Sequence, residues 1–202
     1  MSRFALAVLA LAIGQSLFLA AMVWDRVSLL RSPVVVTLET APIDPRDLFR
    51  GDYVILNYAI TELPLGDLDG DDAFEPGAPI YVELTPEGDI WKPVAVWRAF
   101  REAAPGHAIM RGRVGYVSPG SFVTDAPDGN GEPMREACED CGRAIVSYGI
   151  ESYFVPEGEG RELEDSRNAG RITVDVALGK DGTPAIKQLR LDGEPVYQEP
   201  LF

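Results

Sequence analysis

The chain has 202 residues, a length that suits one membrane anchor plus one exported domain. Hydrophobic residues make up 46% of it, which excludes wholesale disorder. Its 18 basic and 32 acidic residues leave a net charge of -14, which argues against nucleic acid as a partner and against flat docking on anionic lipid.

Phe4 to Trp24 contains no charged residue. At about 1.5 Å per residue, a helix of this length covers about 30 Å, the thickness of a bilayer hydrocarbon core. Gln15 and Ser16 are its clearly polar members, and Trp24 suits the interface. A cleaved signal peptide is the alternative, with Ala20-Ala21 as the processing site. The apolar run exceeds a typical h-region, and no small-x-small site precedes a polar start. Residues 1–31 are therefore read as an uncleaved transmembrane anchor and residues 32–202 as the exported domain. Positive charge is nearly balanced across the helix, with Arg3 before it and Arg26 and Arg31 after it. The domain that follows is rich in strands and holds both cysteines, which fits export and an N-terminus in the cytoplasm.

Val34 to Leu38 reads as the first strand. Asp44-Pro45 then reads as an N-cap and first helical position, because the side-chain oxygen accepts an orphan N–H and proline lacks one. A short helical turn through Leu48 and Phe49 is broken at Arg50-Gly51-Asp52, where glycine is free to take a positive φ. From Tyr53 the pattern has period two. Val54, Leu56, Tyr58 and Ile60 share one face, and Tyr53, Asn57 and Ala59 the other.

Gly51-Asp52-Tyr53-Val54-Ile55-Leu56-Asn57-Tyr58 resembles the Gly-Asp-Tyr-x-x-Leu-x-Tyr motif of the GDYXXLXY family of membrane-anchored bacterial proteins. Asp44-Pro45-Arg46, Phe49 and Arg50 are similar to that family too, as is Tyr148 to Pro156. The resemblance implies little chemistry. It implies a membrane-anchored protein of a family often encoded beside polytopic membrane proteins. With the export read above, the chain is expected in the bacterial inner membrane with its domain facing the periplasm.

Glu62 to Pro79 is a loop dense in Pro, Gly and Asp. Asp67, Asp69 and Asp71 have the spacing of a calcium loop, but Asp72 and Ala78 stand where the required Gly and Glu would be. Ile80 to Leu84 and Ile90 to Phe100 form a hairpin, with Pro93 pushing the second arm towards an edge or a bulge. In the strand from Ile109 to Val117, Arg111 and Arg113 share a face and could hold a carboxylate or phosphate. Pro119 to Arg143 reads as irregular. Ile145 to Val155 reads as one long strand, with Val146, Tyr148, Ile150 and Phe154 on its apolar face and Glu151 and Tyr153 opposite. Ile172 to Leu178 is half-buried, and Ala185 to Leu191 returns after a turn. About eight strands with little helix outside the membrane predict a mainly β, barrel- or sandwich-like domain.

Cys138-Glu139-Asp140-Cys141 lies in a polar loop before a strand, the reverse of the strand-then-helix context of a dithiol oxidoreductase. A local structural disulfide between Cys138 and Cys141 is expected, and neither a metal nor a cofactor. The Gly51-Asp52 strand is also similar to one in type I signal peptidases. No serine lies between Pro33 and Gly51, and Lys92, Lys180 and Lys187 all lie elsewhere, so acyl transfer has no nucleophile beside a base. A hydrolase with carboxylates as acid and base, or a small-ligand module using Arg111 and Arg113, remains the alternative. The leading reading is a non-enzymatic accessory subunit that docks on a polytopic membrane protein. Its docking face comprises Arg46, Arg50, Gly51, Asp52 and Tyr53, with Glu151 and Tyr153 beside them, because Arg and Tyr dominate interface energetics.

Overall fold

The computed structural model describes residues 3–42, 53–127, 133–154, 166 and 169–199, with backbone alone for 53, 119–127 and 133–141. The apolar N-terminal run forms one helix, α1 (Arg3–Leu30). It is long and apolar enough to cross a membrane, and only Leu30 of its side chains is buried.

The rest is mainly β, with thirteen strands among the described residues rather than about eight. They are β1 (Val35–Ala41), β2 (Tyr53–Ile55), β3 (Asn57–Tyr58), β4 (Glu62–Pro64), β5 (Asp69–Gly70), β6 (Pro79–Glu87), β7 (Ile90–Trp97), β8 (Ala108–Pro127), β9 (Pro133–Ser147), β10 (Ser152–Phe154), β11 (Ile172–Leu178), β12 (Pro184–Leu191) and β13 (Glu194–Gln198). One sheet runs β13-β12-β11-β1-β3, a second runs β4-β9-β8-β6-β7-β5, and β2 pairs with β10. Together they make a curled half-barrel. Three of the five extra strands come from residues 53–70, while β10 splits from the expected strand at 145–155 and β13 follows β12. Residues 53–70 change partner repeatedly, pairing with β10, β1, β9 and β7 in turn. Each change of partner ends one ladder and starts another, so the period-two run from Tyr53 becomes β2 and β3, and the stretch from Glu62 read as loop contributes β4 and β5.

The core lies between the sheets. Val36 and Leu38 of β1 and Val174 and Val176 of β11 meet Ile80, Val82 and Leu84 of β6 and Met110 of β8 in one apolar cluster. The β6–β7 hairpin carries its expected bulge at Pro93, where the register slips between the pairs Glu83–Ala95 and Leu84–Pro93. In β11 the second face is buried as well. Asp175 there accepts from Thr37, Gln188 and Arg190 on the flanking strands. Burial alone would push its carboxyl up. These donors outweigh burial and hold it below its ordinary value.

Two further expectations fail. Residues 119–127 and 133–143 are not irregular, because β8 and β9 continue as one long antiparallel ribbon out to the pair Pro127–Pro133. Only residues 108–113 of β8 pair with β6, and only 143–145 of β9 pair with β4. Beyond them, among the described residues, each arm of the ribbon has the other as its ladder partner. Backbone pairing by itself needs no apolar alternation, so the sequence there reads as loop. Cys138 and Cys141 sit at an irregularity of this ribbon. Between the pairs Ser118–Arg143 and Gly120–Cys138, β9 carries residues 139–142 where β8 carries 119 alone. The expected disulfide lies outside the described side chains.

The second failure is the strand from Ile145 to Val155, which is broken. β9 ends at Ser147, and Gly149 takes a φ of +77°, a left-handed conformation that favours glycine. The turn resets side-chain parity. Val146, Tyr148 and Ile150 are buried as expected, but Tyr153 is then buried and Phe154 is 78% exposed.

Candidate functional site

The two stretches that carry the family resemblance lie side by side. In β2 and β10, Tyr53 pairs with Phe154, Val54 with Tyr153 and Ile55 with Ser152. The next backbone N–H along, of Leu56, donates to the carbonyl of Glu151 at 2.8 Å. Two buried tyrosines then stitch the segments reciprocally. The Tyr58 hydroxyl donates to the carbonyl of Ile150 at 2.7 Å, and the Tyr148 hydroxyl donates to the carbonyl of Ile60 at 2.7 Å. The Glu151 carboxylate accepts from the backbone N–H of Tyr148 and so closes the turn around Gly149. The Thr61 hydroxyl accepts from the N–H of Tyr58 at 3.2 Å.

Room for this arrangement comes from Gly112 in β8. A Cβ there would stand 2.5 Å from the Val146 side chain and 3.0 Å from the Tyr148 ring. Burial, and secondarily the negative charge of Glu151, push both the Tyr58 and Tyr148 phenols well above their ordinary range. They are neutral hydrogen-bond donors at physiological pH. The second half of the motif is thus architectural. Val54, Leu56, Tyr58 and Ile60 are all buried, as their alternation predicts.

The expected docking residues are placed unevenly. Arg46, Arg50, Gly51 and Asp52 lie outside the described residues, and only the backbone of Tyr53 is described. Glu151 is half-buried and engaged with Tyr148. Tyr153 is buried against Tyr197, with ring centroids 6.2 Å apart, so it belongs to the core and not to an open face. The exposed aromatic beside the motif is Phe154, the register partner of Tyr53. Sequence reasoning missed it because the parity reset at Gly149 is invisible to a period-two count.

Arg111 and Arg113 do share an exposed face, above a cleft of about 340 Å³ that Gly149 and Thr183 also line. They do not act as a pair. Arg111 lies 3.6 Å from Asp181, while Arg113 donates to the carbonyl of Gly77 at 2.7 Å. In the acidic loop, the Asp71 carboxylate accepts from the N–H of Arg98 at 2.7 Å. Among the described residues, no three His, Cys, Asp or Glu side chains gather into a metal-binding group.

A second polar cluster escaped sequence reading. Glu83, within the apolar run of β6, is 7% exposed. Its carboxylate meets His107 Nδ1 at 2.8 Å and accepts from the Ala104 N–H and the Trp97 indole, each at 3.2 Å. The Arg101 guanidinium lies 3.9 Å over the Trp97 ring. A charged residue inside an alternating strand was the available signal. Burial pushes the Glu83 carboxyl up, but bonds from His107, Ala104 and Trp97 outweigh it and hold the carboxyl below its ordinary 4.5. A lowered native pKa means that Glu83 contributes stability above pH 4.5, and that this is lost as pH falls through the native value. Glu83→Gln is therefore expected to cost about 1–3 kcal/mol at pH 7, and less as acid removes the wild-type advantage. Melting temperature followed from pH 7 down to about pH 3 checks this, and two parallel curves would refute it.

At the exit of α1, the Ser32 hydroxyl donates to the carbonyl of Leu178 at 2.5 Å, and the N–H of Leu178 donates to the carbonyl of Val34 at 3.0 Å. Arg26 lies 3.4 Å from Glu199. These contacts clamp the helix end to β11 and to the tail after β13. Two clefts flank the clamp, of about 600 Å³ and about 240 Å³, and they share Gly179 and Lys180.

Comparison with known proteins adds one match. The family described as GDYXXLXY protein matches residues 15–189. No curated protein and no solved structure matches.

Proposed function

The chain belongs to the GDYXXLXY family, and from that premise we propose that it is a non-enzymatic, single-span accessory subunit that docks on a polytopic inner-membrane protein. In this reading α1 anchors the chain in the bilayer and the β-domain faces the periplasm. The observation that carries it is the coupling of α1 to the domain. The apolar side chains from Phe4 to Trp24 are left uncovered by the domain, while the last turn is buried at Leu30 and clamped through Ser32 and Arg26. A domain held this close to its helix, without a long tether, presents a fixed surface beside whatever the helix packs on. The motif supports the same reading in a different way. Its Leu56 and Tyr58 hold the fold, which leaves the preceding segment, with Arg46, Arg50, Asp52 and Tyr53, as the docking face, and exposed Phe154 is added to it.

Isolation in mild detergent at native expression tests the proposal. A polytopic partner should co-purify with the chain. Arg50→Ala and Phe154→Ala should weaken that association by about tenfold or more while leaving the melting temperature nearly unchanged, because Arg and aromatic anchors carry much of an interface's energy. A chain that runs alone and monomeric overturns the proposal.

A further inference from the structure

The base of the domain carries an arrangement of charge at odds with the rest of the molecule. The protein is strongly acidic, and most described cations sit against a carboxylate. Arg26 meets Glu199, Lys92 meets Glu87, Arg98 meets Asp71, Arg111 meets Asp181, Arg143 meets Glu62, Arg171 meets Asp192 and Arg190 meets Asp175. Six described cations, Arg3, Arg31, Arg101, Arg113, Lys180 and Lys187, have no carboxylate at ion-pair distance among the described residues, and three of them, Arg31, Lys180 and Arg101, are exposed at the base of the domain. These three converge on the helix exit. Arg31 and Lys180 line the larger cleft together with Trp24, and Lys180 and Arg101 line the smaller one. The acidic groups in these walls are Asp25, Asp181 and Glu102, and Asp181 is already engaged by Thr183 and Arg111. His107, in the smaller cleft, is held by Glu83.

We infer that Arg31, Lys180 and Arg101 form a binding site for the phosphate of an anionic phospholipid in the leaflet where α1 emerges. The inference rests on the reading of α1 as a membrane anchor. If Trp24 marks the interface, the helix from Asp25 to Leu30 rises about 9 Å beyond it. Headgroups occupy about 5–7 Å on each side of the hydrocarbon, so the Trp24–Ser28 wall of the larger cleft stands at headgroup level and Arg31 at its outer edge. The distance is also within a Debye length of about 8–10 Å, so the cations are not screened from the lipid surface. Arg31 supplies a planar fork for phosphate oxygens, Lys180 a compact charge between the clefts, and Arg101 a guanidinium already ordered over Trp97. Apolar Val34, Phe100 and Leu178 line the smaller cleft and suit the glycerol end of a lipid. The acidic bulk of the domain is repelled by the same surface. A local group of cations, offset in part by Asp25 and Glu102, under an acidic body therefore seats the domain in one orientation.

The test uses the full chain in maltoside micelles, offered equimolar phosphatidylglycerol and phosphatidylcholine, with retained lipid read by native mass spectrometry. Phosphatidylglycerol should be retained preferentially. Arg31→Ala, Lys180→Ala and Arg101→Ala should each lower its retention about fivefold, while Lys180→Arg preserves it. Lys92→Ala, at a cation paired with Glu87, should retain lipid like wild type. Equal retention of the two lipids, or wild-type retention by the three alanine variants, overturns the site. Displacement by inorganic phosphate but not by chloride at matched ionic strength overturns the lipid assignment in favour of a free-anion site. Carbonate extraction tests the anchor separately. A chain released from membranes refutes the anchor, whereas a retained chain with no lipid preference refutes the site alone.

Discussion

Leu56→Ala should lower the unfolding free energy by about 2–5 kcal/mol, the range for emptying a fully buried leucine position. Leu56 has no exposed surface and lies in the cluster that joins the two sheets. Its N–H also donates to the carbonyl of Glu151, so collapse of the void is opposed by a backbone held at both ends. A site that cannot collapse gives the larger values of that range. Asn57→Ala, one residue on and half-buried, is the internal comparison and should change stability by less than about 1 kcal/mol. Denaturant melts of the two variants decide it. A Leu56→Ala chain as stable as Asn57→Ala would mean that the motif leucine is not a core residue.

The second large effect is expected from the paired tyrosines. Tyr58→Phe and Tyr148→Phe each remove a hydroxyl and leave a carbonyl, of Ile150 or Ile60, without that donor. An unsatisfied buried acceptor costs about 1–3 kcal/mol. The two bonds bridge the same pair of segments in opposite directions, so once one is gone the segments can part slightly and the other weakens. The double variant should therefore lose less than the sum of the single losses, with a coupling of about 0.5 kcal/mol or more. A double-mutant cycle on melting free energies measures this directly. Strict additivity would show that the bonds act as separate pins and not as one junction.

The sequence by itself determined the ingredients of this fold wherever a pattern was local. The uncharged run from Phe4 to Trp24 dictates a long apolar helix, because none of its side chains is charged and Gln15 and Ser16 are its only clearly polar members. The alternation of Val54, Leu56, Tyr58 and Ile60 dictates which face is buried, since period two is a property of extended backbone alone. Pro93 likewise announced its bulge, because proline has no N–H for the ladder.

Tertiary structure decided what depends on partners. Residues 53–70 became four strands and two short 3-10 turns because different strands arrive beside them, and nothing within that stretch specifies those arrivals. The β8–β9 ribbon is paired by its backbone without apolar alternation, so its sequence reads as loop. The burial of Glu83, a charged residue within a strand, depends on His107, Ala104 and Trp97 closing over it. Tyr153 and Phe154 exchanged faces at the left-handed Gly149. The convergence of Arg31, Lys180 and Arg101 needed the helix end, the β11–β12 turn and the loop after β7 brought together. Periodicity carries the information in each local pattern, whereas the partners in these contacts are tens of residues apart and meet only when the core between the two sheets is buried.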